Sequence, residues 1–165
     1  FHPRDGQLYI AGLRGWQSNA AREAGFDRVR YTGQPVYSVR DLKVDREGLH
    51  LTFTQPMKFE SATDAENYFA QHWNYRRSSA YGSPELSPSN PDRRERDTLQ
   101  ISKARLSADG RIVTLEVPNL QPVDQLLIKF NIEAHDGTRI RQETLQTIHA
   151  IPDRARTVAF THGQF

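Results

Sequence analysis

Cysteine is absent from this 165-residue chain, and that absence removes a block of chemistry. Disulfides, thiolate nucleophiles, cysteine-ligated zinc, iron–sulfur clusters and a covalently attached c-type haem, which needs C-x-x-C-H, are all excluded. The compartment stays open on this ground, because large β-domains are stable without disulfides. Also missing is any apolar run near the roughly 20 residues that cross a bilayer as a helix, so membrane insertion is not expected. A sustained field of one charge sign is missing too. The formal net charge is +2, and Lys43, Lys58, Lys103 and Lys129 are the only lysines. Acids interrupt the densest basic run, Asp92-Arg93-Arg94-Glu95-Arg96-Asp97. A phosphate-tracking surface wants an unbroken positive field, so no nucleic-acid partner is expected and the run reads as a solvated charged loop. No signal peptide opens the chain and Phe1 is not an initiator, so a processed or excised piece is expected.

What is present is period-two alternation broken by turn chemistry, the pattern of strands. Leu49, Leu51 and Phe53 point one way while His50, Thr52 and Thr54 point the other. Val113, Leu115 and Val117 repeat the pattern, and Leu126, Ile128, Phe130, Ile132 and Ala134 make its longest run. Leu127 is the only large apolar residue on that strand's opposite face, which predicts one buried and one wet face, as in antiparallel sheets. Three short turns agree. Asp45-Arg46-Glu47-Gly48 joins strands expected at 37–44 and 49–54. Ser107-Ala108-Asp109-Gly110 joins 99–106 to 111–117, and His135-Asp136-Gly137 joins the long run to 138–148. Asp-Gly supplies the positive φ that tight hairpins require. Six or seven strands in about 110 residues, joined this way, suggest a sandwich.

Two short helical signals interrupt the alternation. Thr63 and Glu66 have the spacing of a capping box, and the aromatic run after it (Tyr68, Phe69, Trp73, Tyr75) suits a strand, so a single turn of helix is expected. Ser18 as N-cap and Gly25 as terminator predict a second short helix over 18–24. From 78 to 97 periodicity is lost, and a structureless loop of about 20 residues is functional or mobile as a rule.

Two blocks carry a family resemblance. Pro3, Asp5, Gly6, Leu8 and Tyr9 resemble the P-x-D-G-x-L-Y hairpin of six-bladed quinoprotein-type propellers, and Gly12-Leu13-Arg14-Gly15-Trp16-Gln17 followed by Phe26-Asp27-Arg28-Val29-Arg30-Tyr31 resembles that family's closing strands. Residues 49–75 are similar to bacterial Ig-like modules. Together they resemble the carboxyl-terminal region of secreted haem-binding or membrane-bound-dehydrogenase-like proteins of planctomycete and verrucomicrobial bacteria. The resemblance implies a secreted or periplasmic piece of a larger oxidoreductase-like protein, partnered by an upstream propeller domain. The chain departs from such parents in holding no haem motif and at most one blade's worth of propeller. No catalytic or quinone-binding residue carries over, and no cofactor is expected.

The expected architecture is therefore mostly β. An N-terminal β-appendage (1–35) precedes an Ig-like antiparallel sandwich (36–151) with one or two short helices, and a tail (152–165) follows that is expected to wrap back onto the N-terminal strands. A non-catalytic accessory domain would dock through Leu8, Ile10, Leu13 and Trp16, left as an unpaired apolar or edge-strand surface when the piece stands alone. A free blade edge also favours a weak homodimer.

The alternative is a carbohydrate-binding module. Trp73, Tyr75, Arg76, Arg77 and Tyr81 join flat aromatic faces to polar side chains, which suits pyranose C–H stacking and hydroxyl recognition of a polysaccharide. A second reading of the same residues stays open, in which Trp73 and Tyr75 plug the core and the arginines are merely solvated. Burial of both rings would remove the carbohydrate reading. The six histidines have no metal spacing, and Asp92, Glu95 and Asp97 match no calcium loop, so no metal site is expected. The serines near Ser83 and Ser87 lack a nucleophile elbow.

Overall fold

Alternation along the chain resolves into antiparallel sheets in a computed structural model that describes residues 1–13 and 24–153. Phe1–Pro35 and Val36–Phe165 are separate compact units.

In the first unit, β1 (Leu8–Leu13) pairs antiparallel with β2 (Ala24–Val29) in a two-stranded sheet. Asp5 and Gly6 (φ 65°) lie in a turn closed by the His2 N–H on the Gln7 carbonyl (2.8 Å) and the Gly6 N–H on the His2 carbonyl (2.8 Å). Register puts Leu8, Ile10 and Val29 on one face and Tyr9, Ala11 and Phe26 on the other. Tyr9 stacks on Phe26 at 5.6 Å and donates its hydroxyl to Asp5 at 2.7 Å. Ala24 and Gly25 open β2, so neither belongs to the helix expected over 18–24, whose remaining residues lie outside the described residues.

Among its described residues, the second unit has eight strands in two four-stranded sheets. One has the order β3 (Val39–Asp45), β4 (Gly48–Phe53), β8 (Ile112–Glu116), β7 (Lys103–Leu106). The other has the order β10 (Arg139–Ile148), β9 (Val123–Glu133), β5 (Tyr68–Trp73), β6 (Asp97–Leu99). This is an Ig-like sandwich order: the first, second, sixth and fifth strands form one sheet, and the third and fourth strands join the last two in the other. The three short turns lie where the sequence puts them, joining β3 to β4, β7 to β8 and β9 to β10.

Residues 99–106 do not form one strand. Leu99 pairs with Ala70 in one sheet and Ala104 pairs with Leu115 in the other. The chain changes sheets between them, and Ser102 N–H binds the Glu116 carbonyl (2.9 Å) at the crossing. The core lies between the inner faces, with Leu49, Leu51, Phe53, Val113 and Leu115 facing Tyr68, Leu126, Ile128, Phe130 and Ile132. Phe53 meets Phe130 edge-on at 5.5 Å. Each such side chain contributes about 1.5–3 kcal/mol on leaving water.

Helix α1 (Phe59–Ala62) is one turn and a 3-10 turn follows at Ala65–Asn67. The capping box does not form. Thr63 closes α1, its hydroxyl donating to the Phe59 carbonyl (2.8 Å), and Asp64 caps the 3-10 turn by accepting from Glu66 N–H (3.0 Å). An aspartate one residue on offers the shorter reach to that donor. His50, expected on an exposed face, is half-buried outside the core. It bridges Asp45 (2.8 Å) and Thr114 (3.0 Å), and the same Asp45 oxygen caps Glu47 N–H (2.8 Å) in the β3–β4 turn. Pro152 and Asp153 bind Arg46 of that turn; the rest of the tail, residues 154–165, lies outside the described residues.

Candidate functional site

Of the five candidate binding residues, Trp73 is the one carried on a strand of the β10-β9-β5-β6 sheet. Strand alternation sends Tyr68, Ala70 and His72 inward and Phe69, Gln71 and Trp73 outward. Across the sheet, Glu143, Lys129 and Phe69 form one row, and Leu145, Leu127 and Gln71 form the next. This face is not simply wet. Leu127 is 4% exposed and Trp73 is 3% exposed.

Segment 74–97 accounts for the cover on Trp73. Asn74 and Leu86 exchange backbone hydrogen bonds (2.8 and 2.9 Å), turning the chain back along the end of β5. The Arg96 guanidinium then lies 4.0 Å from the Trp73 ring centroid and grips Glu85 with two 2.6 Å bonds. That fork holds the Glu85 carboxyl below the usual carboxylate range. Cation–π contact on one side and near-complete burial leave Trp73 no open ring face for a ligand.

A buried polar knot secures the base of the same segment. His72 is buried, with Nε2 at 3.9 Å from Asp97 Oδ2 and Nδ1 without a hydrogen-bond partner. Burial pushes the His72 imidazole below its ordinary value, and the Asp97 charge opposes the shift only in part. Burial also acts to raise Asp97, but hydrogen bonds from Ser87 and Ser89, with the His72 charge, carry it below the usual range. Ser89 N–H donates to Asp97 (2.9 Å), and the buried Ser87 hydroxyl accepts from Asn90 N–H (2.9 Å). The run 92–97 is therefore not a merely solvated loop. Arg96 and Asp97 are its two anchors, one on the outer face and one at the sheet edge.

The other candidates separate from Trp73. Tyr75 is half-exposed and its backbone N–H donates to Asp124 (2.7 Å). It borders a shallow depression of about 430 Å³ shared with Pro122, Asp124 and His149. Tyr81 is fully exposed, Arg76 and Arg77 are exposed, and the Arg76 N–H is held by Ser83 (2.8 Å). Among the described residues, no ring contact joins Trp73, Tyr75 and Tyr81. One ring of the two that would have to be buried together is buried. In the first unit, Leu8 and Ile10 are exposed (Ile10 48%) and Leu13 ends β1; Trp16 lies outside the described residues.

Sequence reasoning missed Phe69, Glu85 and Arg96. Period-two spacing along β5 would place Phe69 and Trp73 on one face, opposite Tyr68, and could have separated the platform from the core. Nothing local announces that Arg96 returns across 22 residues to cover Trp73. Among the described residues, no group of three His, Asp or Glu side chains is placed to hold a metal ion. No protein-family model matches the chain, and neither a curated protein nor a solved structure is significantly similar to it.

Proposed function

We propose that the chain is a non-catalytic accessory β-domain of a larger secreted oxidoreductase-like protein. Its N-terminal hairpin docks on, and completes, the sheet of an upstream propeller domain. One observation carries this reading. The hairpin is two-stranded among the described residues, and apolar side chains stand exposed on both of its faces: Leu8, Ile10 and Val29 on one, Phe26 (73%) on the other. An isolated two-stranded hairpin is marginal in water, and free edges are templates for pairing with another sheet. The ionisable groups buried in the sandwich favour a structural role. Asp45 and His50 clamp a turn, and His72 and Asp97 anchor segment 74–97.

The propeller partner and the secreted setting rest on the likeness of residues 3–9, 12–17 and 26–31 to propeller strands. The test is a binding titration of this chain against the propeller domain of its own parent protein. Saturable binding is expected, with Ile10→Asp weakening it more than about tenfold, as truncating or charging an interface anchor does. No binding, or binding indifferent to Ile10→Asp, would refute the reading.

A further inference from the structure

Phe69 lies at the lip of a second depression on the outer face of the β10-β9-β5-β6 sheet, and nothing in the docking of the hairpin uses it. The depression measures about 460 Å³, and its lining includes Phe69, Glu66, Lys129, Asn131, Arg141 and Glu143. Phe69 is 42% exposed although it is a large aromatic residue on a regular strand. It is flanked in register by Lys129 and then Glu143, so the row spans two strand spacings, about 10 Å.

The polar lining is balanced. Glu66 and Glu143 oppose Lys129 and Arg141, which leaves no net charge to draw an anion or a cation. Lys129 is 3.5 Å from Glu143, and Arg141 has no ion pair among the described residues. What remains is a mixed array of donors (Lys129, Arg141), acceptors (Glu66, Glu143) and an amide with both (Asn131) around one flat apolar ring. A hydroxyl group both donates and accepts, and charged partners make the stronger hydrogen bonds to it. A ligand rich in hydroxyls, uncharged, and carrying an apolar C–H face meets all three demands. A peptide strand would pair along the free edge of β10, whereas this depression opens on the face of the sheet, where side chains rather than backbone groups are presented. Nucleic acid would need a positive field.

We propose that the Phe69 depression binds a neutral polysaccharide. A pyranose face stacks on the Phe69 ring, and its hydroxyls bind Glu66, Asn131, Arg141 and the Lys129–Glu143 pair. The site is distinct from Trp73, whose ring Arg96 already covers.

The test is amide-resolved NMR titration of the whole chain with neutral hexasaccharides of glucose, mannose and xylose, and with hexagalacturonate as the charged control. At least one neutral hexasaccharide should give saturable shifts centred on Phe69, Lys129, Asn131 and Arg141. Phe69→Ala should weaken that binding about tenfold, the worth of one aromatic contact. Arg141→Ala, an exposed position on an edge strand, should weaken it without altering the spectrum elsewhere, which keeps the test decisive if Phe69→Ala disturbs β5. The proposal is overturned by silence from all three neutral sugars. It is equally overturned by binding of hexagalacturonate alone, or by shifts centred on Tyr75 and Tyr81.

Discussion

The hairpin and the sandwich are built from the same alternation, and they differ in what lies against it. In the sandwich, each inward row of β4 and β8 meets an inward row of β5 and β9, so Leu49, Leu51, Leu115, Leu126 and Ile128 are fully buried. In the hairpin, Leu8, Ile10 and Val29 form a comparable apolar row that remains exposed. Among the described residues of its unit, two strands give the hairpin backbone pairing without a second layer, and pairing alone is marginal. A strand pattern in a sequence therefore announces a buried face without saying whose surface will bury it.

Core mutation should separate the two units most sharply. Leu115→Ala removes a fully buried side chain between the sheets and should cost the sandwich about 2–5 kcal/mol, read by chemical denaturation. Hydrogen exchange in β1 and β2 should not change. A loss of the same order, about 2–5 kcal/mol, is expected for Gly48→Ala, from backbone strain and overpacking together. Gly48 has φ 134° and a Cβ there would lie 2.0 Å from the Leu115 carbonyl oxygen, so both conformation and space forbid it. The loss should again appear in the sandwich alone.

Acid should act more gently, through His72. Burial lowers its folded-state pKa below the unfolded value of about 6.5. The unfolded chain then binds the proton more readily, so stability is complete above that value and declines as pH falls below it, toward the folded value. Denaturation midpoints measured from pH 7.5 downward should show this slope, and His72→Gln should flatten it. A slope unchanged in the variant would assign the acid sensitivity to other groups. Asp97, also held low, loses its contribution only at more acid pH.

Much of the sandwich was legible because its determinants are local. Asp109-Gly110 and Asp136-Gly137 fix two hairpins by conformation alone, and five alternating residues from Leu126 to Ala134 define the central strand. What was not legible depends on distant partners. Leu99 and Ala104 fall within one expected strand, yet they pair with Ala70 and Leu115 in different sheets. Trp73 has the composition of a binding platform, and only the return of Arg96 decides that its ring is covered. Thr63 fitted a capping box that does not form, and Asp64 caps the 3-10 turn instead. The Phe69 depression depends on β10 supplying Arg141 and Glu143 more than 70 residues away along the chain. Period-two spacing places a residue on a face but does not reveal its neighbours there.

The central claim is that the hairpin takes its stability from a partner sheet while the sandwich holds its own. Native-state hydrogen exchange, followed amide by amide with and without the proposed propeller partner, tests it most directly. In the chain alone, amides of β1 and β2 should exchange through local opening far faster than those of β4, β8 and β9; adding the propeller should slow β1 and β2 selectively. Protection of β1 and β2 equal to that of the sandwich in the chain alone, or no change on adding the propeller, would contradict the account.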